Sequence, residues 1–309
     1  MSGIFTQANE DFLRKIIEND EAQTSKDGAD RSLDAIIEPQ KEKKKDIREL
    51  HGGKAVPPSY LSSRGFFYPE DLVIVVFPLK VSAIRHFSSI DENDGMDVDA
   101  KLRMIINEAV LVQSETNPEF DTDSLLEIDR LYLILIIRSM TFTEFPSIMN
   151  AECTCTSCGN KDQVDVRPER IGTMKKDALN DFFNHYSEEQ RMIVRTISGK
   201  NVSLCLPSCY NMQQARKFLS KEESQDKFMA CFVVKPWTKL SKKDFDSFEA
   251  KLDDWTPDIY VYVKSFVERI NSSYSVDLYY KCSSCDAGVV APLRFQRGIK
   301  ELFIPNISD

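Results

Sequence analysis

Long apolar runs are missing from this sequence of 309 residues. A helix that spans a bilayer needs roughly 20 predominantly apolar residues. The best candidate, residues 131–137, is much shorter and lies between Arg130 and Arg138. The first residues also lack the basic-then-apolar order of a secretory signal peptide. We therefore expect no membrane partner and a reducing compartment.

A basic excess is missing as well. Lysine and arginine number 40 against 49 aspartates and glutamates, so the net charge is −9 and the isoelectric point is about 5.1. Proteins that bind nucleic acid through its phosphates need a basic surface. The composition therefore argues against a nucleic-acid partner.

Motifs of catalysis and ligand binding are also absent. The three histidines are isolated from one another and from any serine or cysteine in a nucleophile setting: His51, His86 and His185. Arg64–Gly65 lacks the further glycines of a phosphate-binding loop, and the acidic residues 91–94 lack EF-hand spacing. We expect a non-enzymatic protein with no small-molecule substrate.

Cysteine is the residue type that stands out among those present. The chain has eight, and in a reducing compartment cysteines bind metal more often than they form disulfides. Four of them form two Cys-x-x-Cys pairs, Cys155 with Cys158 and Cys282 with Cys285. Two such pairs can complete a closed tetrahedral site, which is structural because no position is left for water or substrate. We predict that these four residues bind one structural zinc ion.

The residues around the two pairs are alike. Stretches that alternate polar and apolar residues flank both pairs, among them residues 163–166, 274–280 and 289–293. Gly159 or Asp286 follows the second cysteine, where the backbone must fold back. The pattern predicts two similar hairpins of one module, split by the residues between them. Separate redox pairs and buried thiols remain as alternatives.

The other four cysteines are open to more than one interpretation. Cys153 could replace a ligand, although a spare buried thiol is favoured. Cys205 and Cys209 could form a second metal pair, but Cys205 lies between leucines in a predicted strand and is better explained as a core thiol. Cys231 lies in an apolar stretch and is predicted to be in the core.

The order of patterns predicts an α+β fold with four regions. Residues 1–55 form an N-terminal helix and a charged flexible arm, and residues 56–172 form a small β-rich core with helices and the first knuckle. Residues 173–271 are a mainly helical insertion, and residues 272–309 hold the second knuckle and a C-terminal strand. The N-terminal helix, with its apolar stripe, is predicted to dock on a partner or, equally well, on its own domain.

Individual elements follow from apolar periodicity and caps. The core is predicted to contain a strand at 72–79 and helices at 81–89, 97–112 and 125–140, the last capped by Asp123 or Ser124 and central to the core. The insertion is predicted to contain a helix or two at 177–197, a strand at 202–206 and a helix at 211–219 capped by Asn211. Two further helices follow a capping box at Ser241 and the Thr256–Pro257 pair.

Four stretches, taken in order, carry a resemblance: Leu61–Pro69 with its Ser-Arg-Gly and Tyr-Pro, then Pro78–Leu79, then Asp129–Arg138, then Cys155-x-x-Cys158. The chain resembles the baseplate hub subunit and hub-assembly family of T4-type contractile-tailed bacteriophages. The resemblance covers residues 57–170 well and residues 1–50 not at all. Cys153 and the charged arm are departures from the family pattern.

The resemblance implies a structural or assembly component of the tail baseplate hub. Such a protein would contact other baseplate and tail hub proteins, and it would be found in the virion tail baseplate after assembly in the host cytoplasm. The family implies no catalytic residues. The alternatives are a zinc-ribbon protein that binds nucleic acid, which a local basic face would favour, and a metalloenzyme, which an open three-ligand site would favour.

Two packing predictions follow from residue type. Three neighbouring aromatic residues, Phe66, Phe67 and Tyr68, would form an exposed patch if they did not pack, so we expect them to pack against the helix that ends at Arg138. Arg130 and Arg138 are expected to pair with carboxylates rather than with nucleic acid.

Overall fold

The computed structural model describes residues 52–143, 150–219, 224–273, 277–293 and 298–303. The chain divides into two compact units, residues 1–44 and residues 45–309, and all described residues belong to the second. The predicted N-terminal helix and nearly all of the predicted arm therefore lie outside the described residues. None of the helices in the described ranges combines the length and the apolar character that crossing a bilayer requires.

The first part of the described chain combines a small sheet with three helices. Strands β1 (Lys54–Ala55), β2 (Val73–Val76) and β3 (Val110–Gln113) form an antiparallel sheet in that order. The helices are α1 (Val81–Ser88), α2 (Gly95–Ala109) and α3 (Glu127–Thr141); α2 and α3 contact the sheet, and α1 contacts α2. Helix α3 is buried along most of its length, with Leu133, Ile134 and Ile137 fully inaccessible. It is the central helix that its nearly continuous apolar sequence predicts.

Two boundaries in this part differ from the sequence prediction. The helix predicted at 97–112 ends at Ala109, because the β-branched Val110 and Val112 continue as strand β3 beside β2. Asp123 and Ser124 do not cap α3. They lie in a 3₁₀ turn that Asp121 caps, and α3 begins only at Glu127.

The aromatic segment packs as predicted, but against the first turn of α3. Phe67 and Tyr68 are 1% exposed. The Tyr68 hydroxyl donates a 2.8 Å hydrogen bond to Asp129 Oδ2, and the Ser63 N–H donates one of 2.6 Å to Asp129 Oδ1. Phe66 is half-buried and lies edge-on to Phe183, with ring centroids 4.8 Å apart. The segment is therefore part of the core.

A second sheet follows in the region predicted to be mainly helical. Helix α4 (Asn180–Phe183) is short, and β6 (Tyr186–Ser187), β7 (Met192–Ile197) and β8 (Lys200–Leu204) form an antiparallel sheet in that order. The helix predicted at 177–197 is helical only over residues 177–183, and the prediction is wrong for its remaining residues. Its second half is rich in β-branched residues, and the two-residue turn Ser198–Gly199, with positive φ at both positions, joins it to β8 as a hairpin.

Four further helices complete this region: α5 (Cys209–Phe218), α6 (Ser224–Phe228), α7 (Lys242–Asp253) and α8 (Pro257–Ser273). Ser208 caps α5 by accepting a hydrogen bond from the Asn211 N–H, so the predicted Asn211 cap is wrong. The Asn211 side chain instead binds the backbone of Thr238 and Leu240. The capping box at Ser241 and the start of α8 at Pro257 are confirmed.

A network of ion pairs joins α5 to the helices of the first part. Asp99 on α2 is 4% exposed and accepts from Arg130 on α3 at 2.9 Å and from Arg216 on α5 at 2.7 Å. Glu127 accepts from the same two arginines at 2.8 Å. Arg130 therefore pairs with carboxylates, as predicted. The Arg138 guanidinium lies 5.5 Å from the centroid of the Phe142 ring.

Two hairpins form the remaining sheets. Strands β4 (Asn150–Thr154) and β5 (Lys161–Asp165) make one antiparallel pair, and β9 (Asp277–Lys281) and β10 (Gly288–Pro292) make the other. Each hairpin carries one Cys-x-x-Cys pair at its tip. The described chain is thus a mixed helix and sheet fold with a four-cysteine cluster.

Candidate metal centre

Both hairpin tips fold by the same backbone hydrogen bonds. The Cys155 N–H donates to the Asn160 carbonyl at 2.8 Å, and the Gly159 N–H donates to the Cys155 carbonyl at 2.9 Å. In the second hairpin the Cys282 N–H donates to the Ala287 carbonyl at 3.0 Å, and the Asp286 N–H donates to the Cys282 carbonyl at 3.0 Å. The two tips are therefore equivalent, residue for residue.

The residue after each second cysteine explains the reversal of the chain. Gly159 has a φ of 74° and Asp286 a φ of 54°, both in the left-handed region. Glycine adopts this conformation without a steric penalty, and aspartate tolerates it better than most residues. The fold-back predicted from the sequence is thus present at both tips.

The four sulfurs come together between the tips. Cys155 Sγ lies 3.8 Å from Cys285 Sγ, Cys158 Sγ lies 3.6 Å from Cys282 Sγ, and all four atoms lie within 4.8 Å of one another. A disulfide needs about 2.05 Å, so none of these contacts is one. A tetrahedron of sulfurs with zinc–sulfur distances of about 2.3 Å has edges of about 3.8 Å. The cluster therefore has the dimensions of a four-thiolate metal site.

Burial and hydrogen bonds differ between the inner and outer thiols. Cys155 and Cys282 are 2% and 1% exposed, whereas Cys158 and Cys285 are exposed. Backbone N–H groups of Cys158 and Ser157 lower the pKa of Cys155 to about 6. Desolvation raises the pKa of Cys282. Four sulfurs this close cannot all ionise unless a cation balances their charge.

Polar contacts outside the cysteines also hold the two hairpins together. The Ser283 hydroxyl and N–H both donate to the Asp162 carboxylate, which also accepts a 2.8 Å bond from the Asn160 side chain. Away from the tips, the N–H of Gly172, which follows the first hairpin, donates to the carbonyl of Asp277, the first residue of β9, at 3.1 Å. Sequence reasoning missed these residues. The one sequence feature that could have indicated this contact is Ser283 inside the second Cys-x-x-Cys pair, but its partner Asp162 lies 121 positions away.

The remaining cysteines lie apart from the cluster. Cys153 is 3% exposed, and desolvation raises its pKa. Cys205 Sγ donates to the Val234 carbonyl at 3.0 Å, and Cys231 is fully buried. Across the described ranges, Cys155, Cys158, Cys282 and Cys285 form the one group of three or more cysteine, histidine or acidic side chains close enough to hold a metal ion. Neither Cys205 nor Cys209 belongs to such a group in those ranges.

Comparison with known protein families, with curated proteins and with solved structures finds no match to this chain.

Proposed function

We propose that the four cysteines bind one structural zinc ion and that the two hairpins are halves of a split zinc-knuckle module. The spacing of the four sulfurs carries this proposal, because it matches the edges of a zinc–thiolate tetrahedron. Four thiolates leave no open position at the metal. Such a site contributes to folding and does not activate water.

Metal analysis of the full chain, purified without chelator, tests the zinc proposal. We expect about one zinc per chain. Cys285→Ser should lower the zinc content and Cys155→Ser should also destabilise the fold, whereas Cys231→Ser, in the core away from the cluster, should keep the metal. A chain without zinc, or with a zinc content that Cys285→Ser and Cys155→Ser leave unchanged, would contradict the proposal.

We further propose that the protein is a non-enzymatic structural or assembly component of a contractile-tail baseplate hub, acting through contacts with other tail proteins. Hydrogen bonds between helix α3 and the stretches that carry the family resemblance support this proposal. Ser63 and Tyr68, from the Ser-Arg-Gly to Tyr-Pro stretch, both bind Asp129 at the start of α3. The Leu79 N–H, from the Pro-Leu stretch, donates a 2.9 Å bond to Thr141 at its end. Two of the stretches that carry the family resemblance thus contact the helix that contains a third.

Mass spectrometry of purified virions, compared with tail assembly intermediates from the same infected cells, tests the place in the baseplate. A structural component should be present in both fractions, and an assembly factor should be present in the intermediates alone. Absence of the chain from both fractions, while it is abundant in the infected cell, would refute a role in the tail.

A further inference from the structure

Among the described residues, no strand pairs with the outer edge of strand β8. It is the last strand in the order β6–β7–β8, and its outer side faces away from β7. The Cys205 N–H, just beyond the strand, points outward and donates a 2.8 Å bond to the Phe232 carbonyl. Backbone direction alternates along a strand, so the N–H and C=O groups of Asn201 and Ser203 point outward as well. Within the described residues these four groups have no hydrogen-bond partner.

A groove of about 450 Å³ runs along this edge, and we call it the β8 groove. Four consecutive strand residues, 200–203, form one side, and α7, α8 and the segment 230–240 form the other. Phe248 and Ile259 are buried at its apolar wall and Trp255 is half-buried beside them. The groove thus places backbone groups that have no partner among the described residues beside an apolar surface.

Three of the four charged residues that line the β8 groove are basic, and one of these, Lys200, donates a 2.6 Å hydrogen bond to the Asp254 carbonyl. The ionisable lining residues of the groove are Lys200, Lys235, Lys251 and Asp244. The Asp244 carboxylate already accepts bonds from the N–H and hydroxyl of Ser241 in the capping box. Lys235 and Lys251 are exposed at the rim. On a chain with a net charge of −9, this local excess of lysine favours an acidic ligand.

We propose that the β8 groove binds an extended, acidic segment of a partner protein, which adds to the sheet as a fourth strand. An antiparallel segment would exchange two backbone hydrogen bonds with Asn201 and two with Ser203. Its alternate side chains would meet the apolar wall at Trp255 and Val233, which are only half-buried, so the segment alternates acidic and apolar residues. The groove shares no residue with the cysteine cluster, so binding does not depend on the proposed zinc ion or on a place in a tail.

A synthetic peptide tests the proposal on the full chain. The probe is a fluorescein-labelled peptide of about eight residues that alternates glutamate with valine, and fluorescence anisotropy reports its binding. We expect saturable binding, with slower amide exchange at Asn201 and Ser203 in the complex. A peptide with lysine in place of glutamate should not bind. A peptide N-methylated on the amides of one edge should not bind either, because it cannot pair with the strand.

Charge reversal at the rim supplies the matched variants. Lys235→Glu combined with Lys251→Glu should raise the Kd of the acidic peptide about tenfold or more, since both lysines lie beside the bound segment. Lys54→Glu changes an exposed lysine on β1, in the other sheet, and should leave the Kd unchanged.

Three outcomes would overturn the proposal. The first is no saturable binding of the acidic peptide. The second is binding that survives N-methylation or the double charge reversal, because the peptide would then bind elsewhere. The third is a dimer of the full chain that the double charge reversal abolishes, because a second copy would then be the occupant of the groove.

Discussion

The buried carboxylate of Asp129 on α3 accepts hydrogen bonds from the turn-rich segment that contains Ser63 and Tyr68. Asp129 is fully inaccessible, and these bonds fix the turn-rich segment against α3. Burial nevertheless raises the pKa of Asp129 to about 6, because desolvation outweighs these hydrogen bonds. The residue that connects the two stretches therefore carries an energetic penalty when it is ionised.

This penalty predicts a pH dependence of stability. Because the folded-state pKa lies above the unfolded value, the stability that Asp129 contributes is fully present below about pH 4 and is lost as the pH rises through about 6. The loss amounts to about 3 kcal/mol. Asp129→Asn removes the titration, so the unfolding free energies of wild type and variant, measured by urea denaturation from pH 4 to pH 7, should diverge across this window. Parallel curves would contradict the assignment.

Among the elements, α2, α3 and α5 depend on the same two carboxylates. Asp99 is almost fully buried and lies between Arg130 and Arg216, so removing it leaves Glu127 as the one carboxylate that both guanidinium groups share. We predict that Asp99→Ala lowers the unfolding free energy by about 3 kcal/mol. The matched control is Asp165→Ala, which removes an ion pair with Arg167. The Arg167 side chain is 53% exposed, so this substitution should lower the unfolding free energy by less than about 1 kcal/mol. Equal losses in urea denaturation would contradict the prediction.

The two cysteine hairpins should respond to metal removal as one unit. Each is a two-stranded sheet, which is marginally stable alone, and the sulfurs join their tips. We predict that a zinc chelator abolishes amide protection in β4, β5, β9 and β10 together while β7 and β8 keep theirs. Hydrogen exchange with mass spectrometry measures this directly. Loss of protection in one hairpin alone would mean that the pairs do not share an ion.

The elements also show where sequence patterns suffice. The cysteine turns, the Ser241 capping box and the Pro257 helix start are local, so a few neighbouring residues decide them. The sequence predicts a helix at residues 192–197, whereas the structure has a strand there, because pairing with residues 200–204 adds to the preference of the β-branched residues for a strand. The partners of Asp99 lie 31 and 117 positions away, and no periodicity connects them.

At the scale of the whole molecule, the division at residue 44 separates the charged arm from the described core. We predict that deletion of residues 1–44 leaves the melting temperature within about 2 °C of that of the full chain and keeps the metal. If the protein has the proposed place in a baseplate hub, the same deletion should weaken incorporation into tail intermediates, because the helix and polar tether predicted from the sequence would add a second contact and raise the effective concentration.

Calorimetry and metal analysis measure the first two effects, and the yield of the chain in purified intermediates measures the third. Deletion of residues 304–309 is the control for a shortened chain end. Undiminished incorporation of the chain without residues 1–44 would show that the arm does not dock on a neighbour.

The two halves of the cysteine cluster lie far apart in the sequence, with residues 159–281 between them. A ribosome adds about 5–20 residues per second, so the first pair leaves it roughly 10 s before the second is made. During that interval two thiols are present without the other two. The cluster can therefore form only after Cys285 has been synthesised, and its completion marks a polypeptide that already contains everything between the two hairpins.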